Sequence, residues 1–389
     1  MTTFSGRSRV LQRFHRDDKH HPQSAGSICK LSCFWWTFPI VLLLFLSLVS
    51  FWNQASQLGK LSSTNHSVLW HSSDYQDEEP QHQPGLGVVV LLAPMRNEGS
   101  MWGIDRFCLL LRAVRSVDQH LNSHYGPYPI IILLAKDYME RPRRKDAPYT
   151  TKDRALIRRW APRSTIIFEE IELYSGSALE PNTTQELIVQ WRQGWDGSVP
   201  GRELGYQSMC RLWSGRLQAM PFMQQYQYYM RLDDDSLLTD KFPFDPFQKM
   251  LDERLTYVYR REAYDHWGIE KLWEIAKPHL DFSRPLPFAF FREYEGAQPY
   301  NNFHISRTSF WTSSKWVSFW NDLNEQHAFF KYRVGDANVH AIAVMMMNKR
   351  TYQLWSDIPY VHNSNEMKFG WGTKAWKEEC QQAYSKWLT

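Results

Sequence analysis

Three consecutive carboxylates, Asp233-Asp234-Asp235, are the residues whose types and spacing point most directly to chemistry. The preceding residues 228–232 read YYMRL and predict a short strand. Alternate side chains of an extended segment share a face, so Asp233 and Asp235 can point together while Asp234 points away. Adjacent carboxylates repel one another, and a divalent cation offsets that repulsion. The triplet therefore predicts a site for Mg²⁺ or Mn²⁺, and the bound ion would bridge a diphosphate.

An acidic triplet can also be a solvated turn or a helix cap, so its surroundings must decide between the two interpretations. Two carboxylates that hold a metal against a departing nucleoside diphosphate form the DxD arrangement of sugar-nucleotide transferases. Here the triplet follows an apolar strand, in a region that begins like a parallel sheet. This context favours the metal site.

The elements that position the triplet are typical of an α/β sheet. Gly87–Leu92 (GVVVLL) predicts a buried strand, and residues 93–98 predict a loop at its carboxyl end. Residues 104–121 have helical periodicity, and residues 130–134 (IIILL) predict a second strand. The succession of strand, loop, helix and strand predicts a parallel sheet, which binds ligands at the carboxyl ends of its strands.

The rest of the chain is less regular. Residues 165–171 predict another strand, and residues 206–225 predict a helix. Beyond Asp235 the chain is predicted to be mixed and loop-rich, with frequent prolines and a helical segment after Gly335. Neither the GxGxxG nor the GxxxxGK[ST] pattern follows the first strand, which disfavours an ordinary dinucleotide site or P-loop.

The N-terminal residues predict a membrane anchor. Residues 31–52 contain no charged residue, and about 20 apolar residues suffice to span a bilayer. The segment before them is basic, so residues 1–30 are predicted to be a cytoplasmic tail. Polar residues 53–85 predict a flexible stem, and residues 86–389 a lumenal catalytic domain of a type II protein of the Golgi or the endoplasmic reticulum. A cleaved signal peptide is the alternative.

Composition disfavours one class of protein and indicates which cysteines could form a disulfide. The net charge of the 389 residues is only +4, which disfavours a dedicated nucleic-acid binder. Of the five cysteines, Cys108, Cys210 and Cys380 fall in the predicted lumenal part, where one disulfide and one remaining thiol are expected. The sequons at Asn65 and Asn182 would be glycosylation acceptors there.

Seven segments, taken together and in order, resemble one known family. They are VVVLLAPMRNE, YGPYPIIILLAKD, LGYQSMCRLWSG, YQYYMRLDDDS, YNNFHISRTSFW, VGDANVHAIAV and DIPYVH, between residues 88 and 362. The family is that of the fungal Kre2/Mnt1-type α-1,2-mannosyltransferases, glycosyltransferase family 15, of which this chain looks like a divergent member. The resemblance implies a GT-A (Rossmann-like) fold, a GDP-mannose donor, Mn²⁺, a mannose-ended glycan acceptor on protein or lipid, and retention of anomeric configuration.

The resemblance also implies metal ligands. The family has Glu-Pro-Asp at the acidic triplet, and its first acid contacts the metal, which makes Asp233 the leading ligand here and places Asp235 among the residues that bind substrate. The ligating histidine of the family's GDAPVHSI segment matches His340 in GDANVHAI. Its apolar neighbours are typical of a core histidine, and His362, near the C-terminal end, is the rival ligand.

Further positions are implied to bind the donor. An active-site tyrosine before the MCR segment matches Tyr206, and an arginine two residues before the first acid matches Arg231. Arg96 matches an arginine of the first loop, where it would meet nucleotide phosphates. Asp336, next to Gly335, is expected to bind substrate or to cap a helix.

One position departs from the family. Its NFE segment places a glutamate near the anomeric carbon, whereas this chain has His304. Histidine is poorly suited to be the nucleophile of a retaining reaction, so His304 is predicted to orient the acceptor or to accept its proton. Retention would then proceed on the front face of the donor, or Glu293 or Glu295 would supply the carboxylate. A UDP-sugar donor and an inactive lumenal glycan-binding protein are the alternative functions.

Overall fold

The computed structural model describes residues 85–98, 106–137, 145–195, 203–290 and 292–362, with residues 378 and 382. They all belong to Asp77–Thr389, one of the two units into which the chain divides. The predicted tail and anchor, and the predicted stem up to residue 84, lie outside the described residues. Among the helices that are described, none combines the length and the apolar character needed to cross a membrane.

The secondary structure alternates between strands and helices. The strands are β1 (Gly87–Leu92), β2 (Arg96–Glu98), β3 (Ile130–Ala135), β4 (Lys145–Ala147), β5 (Ile166–Ile171), β6 (Tyr228–Asp233), β7 (Ser236–Leu238), β8 (Tyr257–Tyr259), β9 (Glu262–Tyr264), β10 (Ala289–Phe290), β11 (Glu293–Tyr294), β12 (Ala297–Pro299), β13 (Phe303–Arg307), β14 (Tyr352–Leu354) and β15 (Tyr360–His362). The helices are α1 (Arg106–Val117), α2 (Thr151–Trp160), α3 (Gln185–Gln193), α4 (Leu204–Arg211), α5 (Pro246–Asp252), α6 (Ile269–Ala276), α7 (Ser314–Glu325), α8 (Ala328–Tyr332) and α9 (Asp336–Met346).

A seven-stranded sheet with the order β14-β8-β13-β6-β1-β3-β5 forms the centre. Strands β6, β1, β3 and β5 run parallel, as the sequence predicts. Strand β13 runs antiparallel between β6 and β8, which makes the sheet mixed. The carboxyl ends of β1 and β6 meet at one edge, with Leu92 opposite Asp233 in register.

The sheet is covered on both faces, which explains why β1 and β3 are apolar throughout. One core contains the alternate residues Val89 and Leu91 with α1 and α2. The other contains Val88 and Val90 with α4 and α9. Each strand therefore gives half of its side chains to each core, and its carboxyl end remains for the site.

The predicted helices are present but shorter, and each is followed by a wider turn. Helix α1 ends at Val117 and continues into a π-helical turn, Asp118–Asn122. Helix α4 likewise passes into the π-helical turn Leu212–Arg216, within which Gly215 has a φ of 148°. A glycine is needed there because such a φ strains other residues.

Beyond Asp235 the chain is mixed, as predicted, and five of the helices α1 to α9 lie there between short strands and loops. Proline begins one of them: Pro246 is the first residue of α5, where its missing N–H costs no hydrogen bond. The carboxylate of Asp245 accepts from the backbone N–H groups of Phe247 and Gln248 and caps the helix. Proline therefore marks a helix start here rather than a loop.

Two of the cysteines are in the described part. Cys108 on α1 is disulfide-bonded, in agreement with the expectation of a disulfide in this domain. Cys210 on α4 is free and buried, so this thiol takes no part in the bond.

Glu180 is a buried carboxyl before α3. One oxygen accepts a hydrogen bond from the backbone N–H of Phe329 at 2.9 Å, and the other lies 3.8 Å from His327 Nδ1. Burial raises the pKa of Glu180 to about 8, although the Phe329 N–H and the charge of Arg211 oppose the rise. In the unfolded chain a glutamate ionises near its ordinary value of 4.5.

Replacement of Glu180 by glutamine is expected to stabilise the protein in alkaline solution. Because the folded pKa is the higher one, the unfolded state binds fewer protons between the two values, and stability of the parent falls as pH rises from about 4.5 to about 8. Glutamine keeps an acceptor for Phe329 and does not ionise. Urea unfolding of parent and Glu180→Gln at about pH 4 and about pH 9 should show a gain mainly at the higher pH. The exposed Glu325→Gln is the control, and an equal gain at both pH values would contradict the expectation.

Candidate active site

The acidic triplet borders a cleft of about 580 Å³ at the carboxyl edge of the sheet. Asp233 is the last residue of β6, and Asp234 and Asp235 form the turn into β7. The apolar run YYMRL is extended because it pairs with β1 on one side and β13 on the other. A central strand therefore fixes the backbone of the first carboxylate.

The three carboxylates point to two different places. Asp234 is buried and pairs with Arg106 on α1, whose Nε and Nη2 lie 2.5 and 2.8 Å from its two oxygens. This carboxylate raises the pKa of Arg106, so the guanidinium stays charged. Asp233 and Asp235 face the cleft together. The geometry thus agrees with the alternation expected from an extended segment.

His362 lies against the two carboxylates that face the cleft. Its Nε2 is 3.4 Å from Asp233 Oδ2 and 3.1 Å from Asp235 Oδ1. Strand β15 brings it there by pairing antiparallel with β7, which places His362 opposite Ser236. The hydroxyl of Tyr300 hydrogen-bonds to Nδ1 and holds the ring.

The charges of this group are strongly coupled. Burial disfavours a charged imidazole, but the hydrogen bonds and charges of Asp233 and Asp235 outweigh it and raise the pKa of His362 to about 11. Burial likewise opposes ionisation of Asp233, yet Arg231 and His362 hold the pKa of this carboxyl well below its usual range. The side chain of Asn302 also donates to Asp233. Asp233 and His362 therefore form an ion pair when no cation is bound, and a cation would take the place of the imidazolium proton, because only a neutral imidazole binds a metal.

This donor set fits a divalent transition metal. One ligand atom from each of Asp233, Asp235 and His362 lies within 4.8 Å of the others. Two hard carboxylate oxygens and one imidazole nitrogen suit Mn²⁺, and the Tyr300 hydroxyl supplies the partner that a ligating imidazole needs at its other nitrogen. All three residues line the cleft, so further positions on an ion would face substrate.

The ligand role predicted for His340 is wrong. His340 is fully buried on α9. Its Nε2 lies 3.0 Å from the carbonyl oxygen of Trp213, which can only accept, so this nitrogen donates. Its Nδ1 lies 2.8 Å from the Tyr257 hydroxyl and accepts from it. Because both nitrogens are engaged, and burial lowers the ring's pKa to about 4, His340 is a neutral core residue.

The role predicted for His304 at the reacting centre is also wrong. His304 is fully buried on β13, opposite Arg231 in register, and is not among the residues that line the cleft. Its Nδ1 donates to the carbonyl oxygen of Asn301 at 2.9 Å, and its Nε2 lies 3.0 Å from the Tyr229 hydroxyl. Burial lowers the pKa of His304 well below its usual value. The ring therefore has no free lone pair for a substrate proton.

The alternative carboxylates do not fill that role. Glu293 is largely exposed and accepts from the indole N–H of Trp273, and it does not line the cleft. Glu295 lines a different groove on the surface. Apart from the triplet, the cleft is lined by the carboxylates of Asp265 and Asp336.

Arg231 connects the triplet with α9. Its Nε donates to Asp233 at 3.0 Å and its Nη1 to Asp336 at 2.6 Å, and the guanidinium lies 4.4 Å from the centre of the Trp213 ring. Asp336 also accepts from Asn301 at 2.9 Å. Gly335, not Asp336, is the N-cap of α9, so the expected capping role of Asp336 is replaced by this ion pair. Arg231 and Asp336 both line the cleft.

The other predicted donor-binding residues divide into two groups. Tyr206 on α4 lines the cleft, and its hydroxyl lies 3.4 Å from Arg333 Nη2. Arg96 does not line it: its guanidinium pairs with Asp153 at 3.2 Å and lies over the ring of Phe107. The predicted contact of Arg96 with nucleotide phosphates is therefore not supported.

Sequence reasoning missed several residues of the cleft. They are Arg106, Asp265, Trp267, Tyr300, Asn302 and Arg333. A signal was present for Asn302 alone: it directly precedes β13, and pairing of β13 with β6 places it beside Asp233. The others come from loops or helices far along the chain, whose positions depend on tertiary packing.

Known proteins resemble this chain in sequence and in fold. Residues 107–385 match the family model described as glycolipid 2-alpha-mannosyltransferase. The chain is similar to the O-glycoside alpha-1,2-mannosyltransferase homolog 3 of Schizosaccharomyces pombe (26% identity over 43% of this chain and 48% of that protein). It is also similar to the O-glycoside alpha-1,2-mannosyltransferase omh1 of the same yeast (30%, 40% and 43%). The chain thus spans about half the length of these relatives.

The fold has solved counterparts. Core-mannan synthase A of Aspergillus fumigatus, in its Mn/GDP form, superposes with a TM-score of 0.58 at 21% identity, over 74% of this chain and 78% of that one. At this identity the likeness shows the fold, and the mixed sheet fits a GT-A-like architecture. Since the family model covers most of the sequence, including the acidic triplet and His362, the chain belongs to the glycolipid 2-alpha-mannosyltransferase family.

Proposed function

We propose that this protein transfers mannose from GDP-mannose to a hydroxyl of a mannose-ended glycan on protein or lipid, in α-1,2 linkage and with retention. The observation that carries the proposal is the cluster of Asp233, Asp235 and His362 at the carboxyl edge of β6, inside the main cleft of a member of this family. The relatives' names and the Mn/GDP form of the superposed structure support the donor, the linkage and the metal.

Asp233, Asp235 and His362 would hold Mn²⁺. The ion would neutralise the charge that develops on the departing diphosphate. Arg231 and Asn302 donate hydrogen bonds to the carboxylate of Asp233. The hydroxyl of Tyr300 hydrogen-bonds to the ring of His362. Asp233 and His362 are thereby held in place before substrate arrives, which is what a preorganised site requires.

The chain's own residues favour a reaction on the front face of the donor. The buried position of His304 leaves the family's glutamate position without a nucleophile, and Asp336 and Asp265 are held by Arg231 and Arg333. The acceptor oxygen would then bond to the anomeric carbon as the bond from that carbon to the phosphate oxygen breaks. The acceptor proton would pass to the departing phosphate.

The proposal includes a location. The basic segment before the uncharged residues 31–52 supports a type II anchor, with the catalytic domain in the lumen of the Golgi or the endoplasmic reticulum. Asn182 lies exposed on the described surface, as a glycosylation acceptor must. Digestion of the cellular protein with an N-glycan-specific hydrolase should increase its mobility; unchanged mobility would count against the lumenal orientation.

The full-length protein, purified in detergent, tests the activity. GDP-mannose and a panel of UDP-sugars are offered with mannobiose, with Mn²⁺ or with a chelator. Turnover of GDP-mannose alone, lost with the chelator, is the expected result. Turnover of a UDP-sugar alone would overturn the donor assignment, and binding of glycan without turnover of any donor would identify a glycan-binding protein instead.

A further inference from the structure

A second concavity lies beside the main cleft. It has a volume of about 360 Å³ and is lined by aromatic and basic side chains: Trp191, Gly194, Trp195, Trp267, Lys331, Tyr332 and Arg333. We call it the tryptophan groove. Trp267 and Arg333 line both the groove and the cleft, so the two spaces are adjacent.

The groove is built by three elements that meet at its floor. Helix α3 carries Trp191 and ends at Gln193, with Gly194 as its C-cap. The indole N–H of Trp195, the next residue, donates to the carbonyl oxygen of Lys331 on α8 at 3.1 Å. Gly268, with a φ of 71°, lets the loop after β9 approach α8 closely: a Cβ there would lie 2.6 Å from the Tyr332 carbonyl oxygen. This contact brings Trp267 beside Tyr332.

Arg333 forms the boundary between groove and cleft. It is buried, and its guanidinium pairs with Asp265 at 2.8 Å and reaches the Tyr206 hydroxyl at 3.4 Å. Asp265 and Tyr206 both line the cleft. A ligand that passes from the cleft into the groove would therefore cross fixed polar groups before it meets the indole rings.

The chemistry of the groove suits a sugar. A pyranose ring has an apolar face of C–H bonds, which packs on an aromatic ring, and a rim of hydroxyls, which needs donors and acceptors. The tryptophans and Tyr332 supply the first. For the second, Lys331 and Arg333 supply donors, and the hydroxyl of Tyr332 can also accept. Three of these aromatic side chains, Trp191, Trp195 and Trp267, are only partly buried, so their surfaces are accessible.

We propose that the tryptophan groove binds the sugar units of the acceptor that lie behind the reacting mannose, and so selects acceptors by length. This deepens the proposed function and rests on it. The metal ligands line the cleft at the carboxyl end of β6 and on β15, where the donor diphosphate belongs, and none of the three lines the groove. The acceptor would then occupy the part of the cleft that Trp267 and Arg333 share with the groove.

A rival groove provides the matched control. It lies on the other side of Tyr264 and contains Phe290, which is 68% exposed, with Glu262 and Glu295. Tyr264 lines both this groove and the cleft. Phe290→Ala therefore removes an accessible aromatic ring from an equally adjacent surface.

The test compares acceptors of one, two and three mannose units with GDP-mannose and Mn²⁺, using the full-length protein. Trp195→Ala is expected to raise KM for mannotriose about 3- to 10-fold, as loss of one aromatic contact does. With Trp195→Ala, methyl mannoside should react as it does with the parent. Trp195→Phe keeps an aromatic ring, so its KM for mannotriose should stay close to that of the parent. Phe290→Ala should leave all three acceptors unchanged.

A second variant covers the case in which Trp195→Ala does not fold. Gly194 has an ordinary φ of −77°, and a Cβ there meets no atom closer than 3.5 Å, so Gly194→Leu fits the fold and fills the groove. It should impair mannotriose and spare methyl mannoside. Equal loss with every acceptor, no loss, or length-dependent loss only in Phe290→Ala would each overturn the proposal.

A binding measurement separates this proposal from the proposed function. Calorimetric titration of mannotriose in the absence of donor should show binding by the parent and weaker binding by Gly194→Leu. If no donor is turned over but this difference holds, the groove is a glycan site and the transfer alone fails. If mannotriose binds neither protein and no length dependence is seen, the groove assignment fails.

Discussion

Replacement of His362 by alanine is expected to reduce mannose transfer by about 100-fold or more, since loss of a mere supporting partner of a metal ligand already costs 10- to 100-fold. His362 provides the one nitrogen among the three donor groups that face the cleft. Without it, the cluster keeps two ligand atoms, one carboxylate oxygen from Asp233 and one from Asp235. Transfer should recover in part at high Mn²⁺, and a Mn²⁺ titration of the rate measures both effects.

Two buried histidines serve as controls for this experiment. His340→Gln and His304→Gln each remove an imidazole with two hydrogen bonds from the core. They should lower the free energy of unfolding by about 1–3 kcal/mol, because buried polar partners lose their bonds. The Mn²⁺ dependence of the transfer rate, measured on the protein that folds, should remain that of the parent. A shifted Mn²⁺ requirement in His340→Gln, with none in His362→Ala, would restore the rejected ligand assignment.

Replacement of Arg231 by methionine is expected to be the most destabilising single change in the site. Arg231 is 2% exposed and is held between Asp233 and Asp336. Burial alone would lower its pKa, but the two carboxylates outweigh burial and raise it, so the guanidinium is charged in the folded protein. Removal of one partner from a buried ion pair costs about 3–5 kcal/mol, and urea unfolding would measure it.

A double variant identifies the cause of that loss. Arg231→Met combined with Asp336→Asn removes one of the two carboxylates that the single change leaves uncompensated. The double variant should therefore be more stable than Arg231→Met, despite carrying an additional substitution in the core. A single variant within about 1 kcal/mol of the parent would show that this ion pair contributes little.

Local patterns were sufficient to predict the first half of the fold. The apolar runs of β1, β3 and β6 identify strands buried on both faces, and the alternation of side chains separates Asp234 from its neighbours. These properties depend on a few adjacent residues. Of the helices beyond Asp235, local patterns predict the one that follows Gly335, whereas proline, which is common in loops, does not indicate the helix that begins at Pro246.

The choice between His340 and His362 could not be made from local patterns. Their distances along the chain from Asp233 are both large, and strand β15 reaches the triplet only because it pairs with β7. The apolar neighbours of His340 correctly indicated a core residue, and the family match outweighed them. His304 was misplaced for a related reason: aligned positions of divergent relatives need not keep the same surroundings.

The ion pair between Asp234 and Arg106 has a consequence for the history of this protein. The family that the sequence resembles is expected to have proline in the middle of the triplet, and the ring of a proline restricts the backbone covalently. Here a buried carboxylate and a guanidinium on α1 hold the same turn instead. Either residue alone would place a charge in this turn without its ion-pair partner, which is unfavourable. Proteins that descend from this chain should therefore keep both Asp234 and Arg106 or lose both.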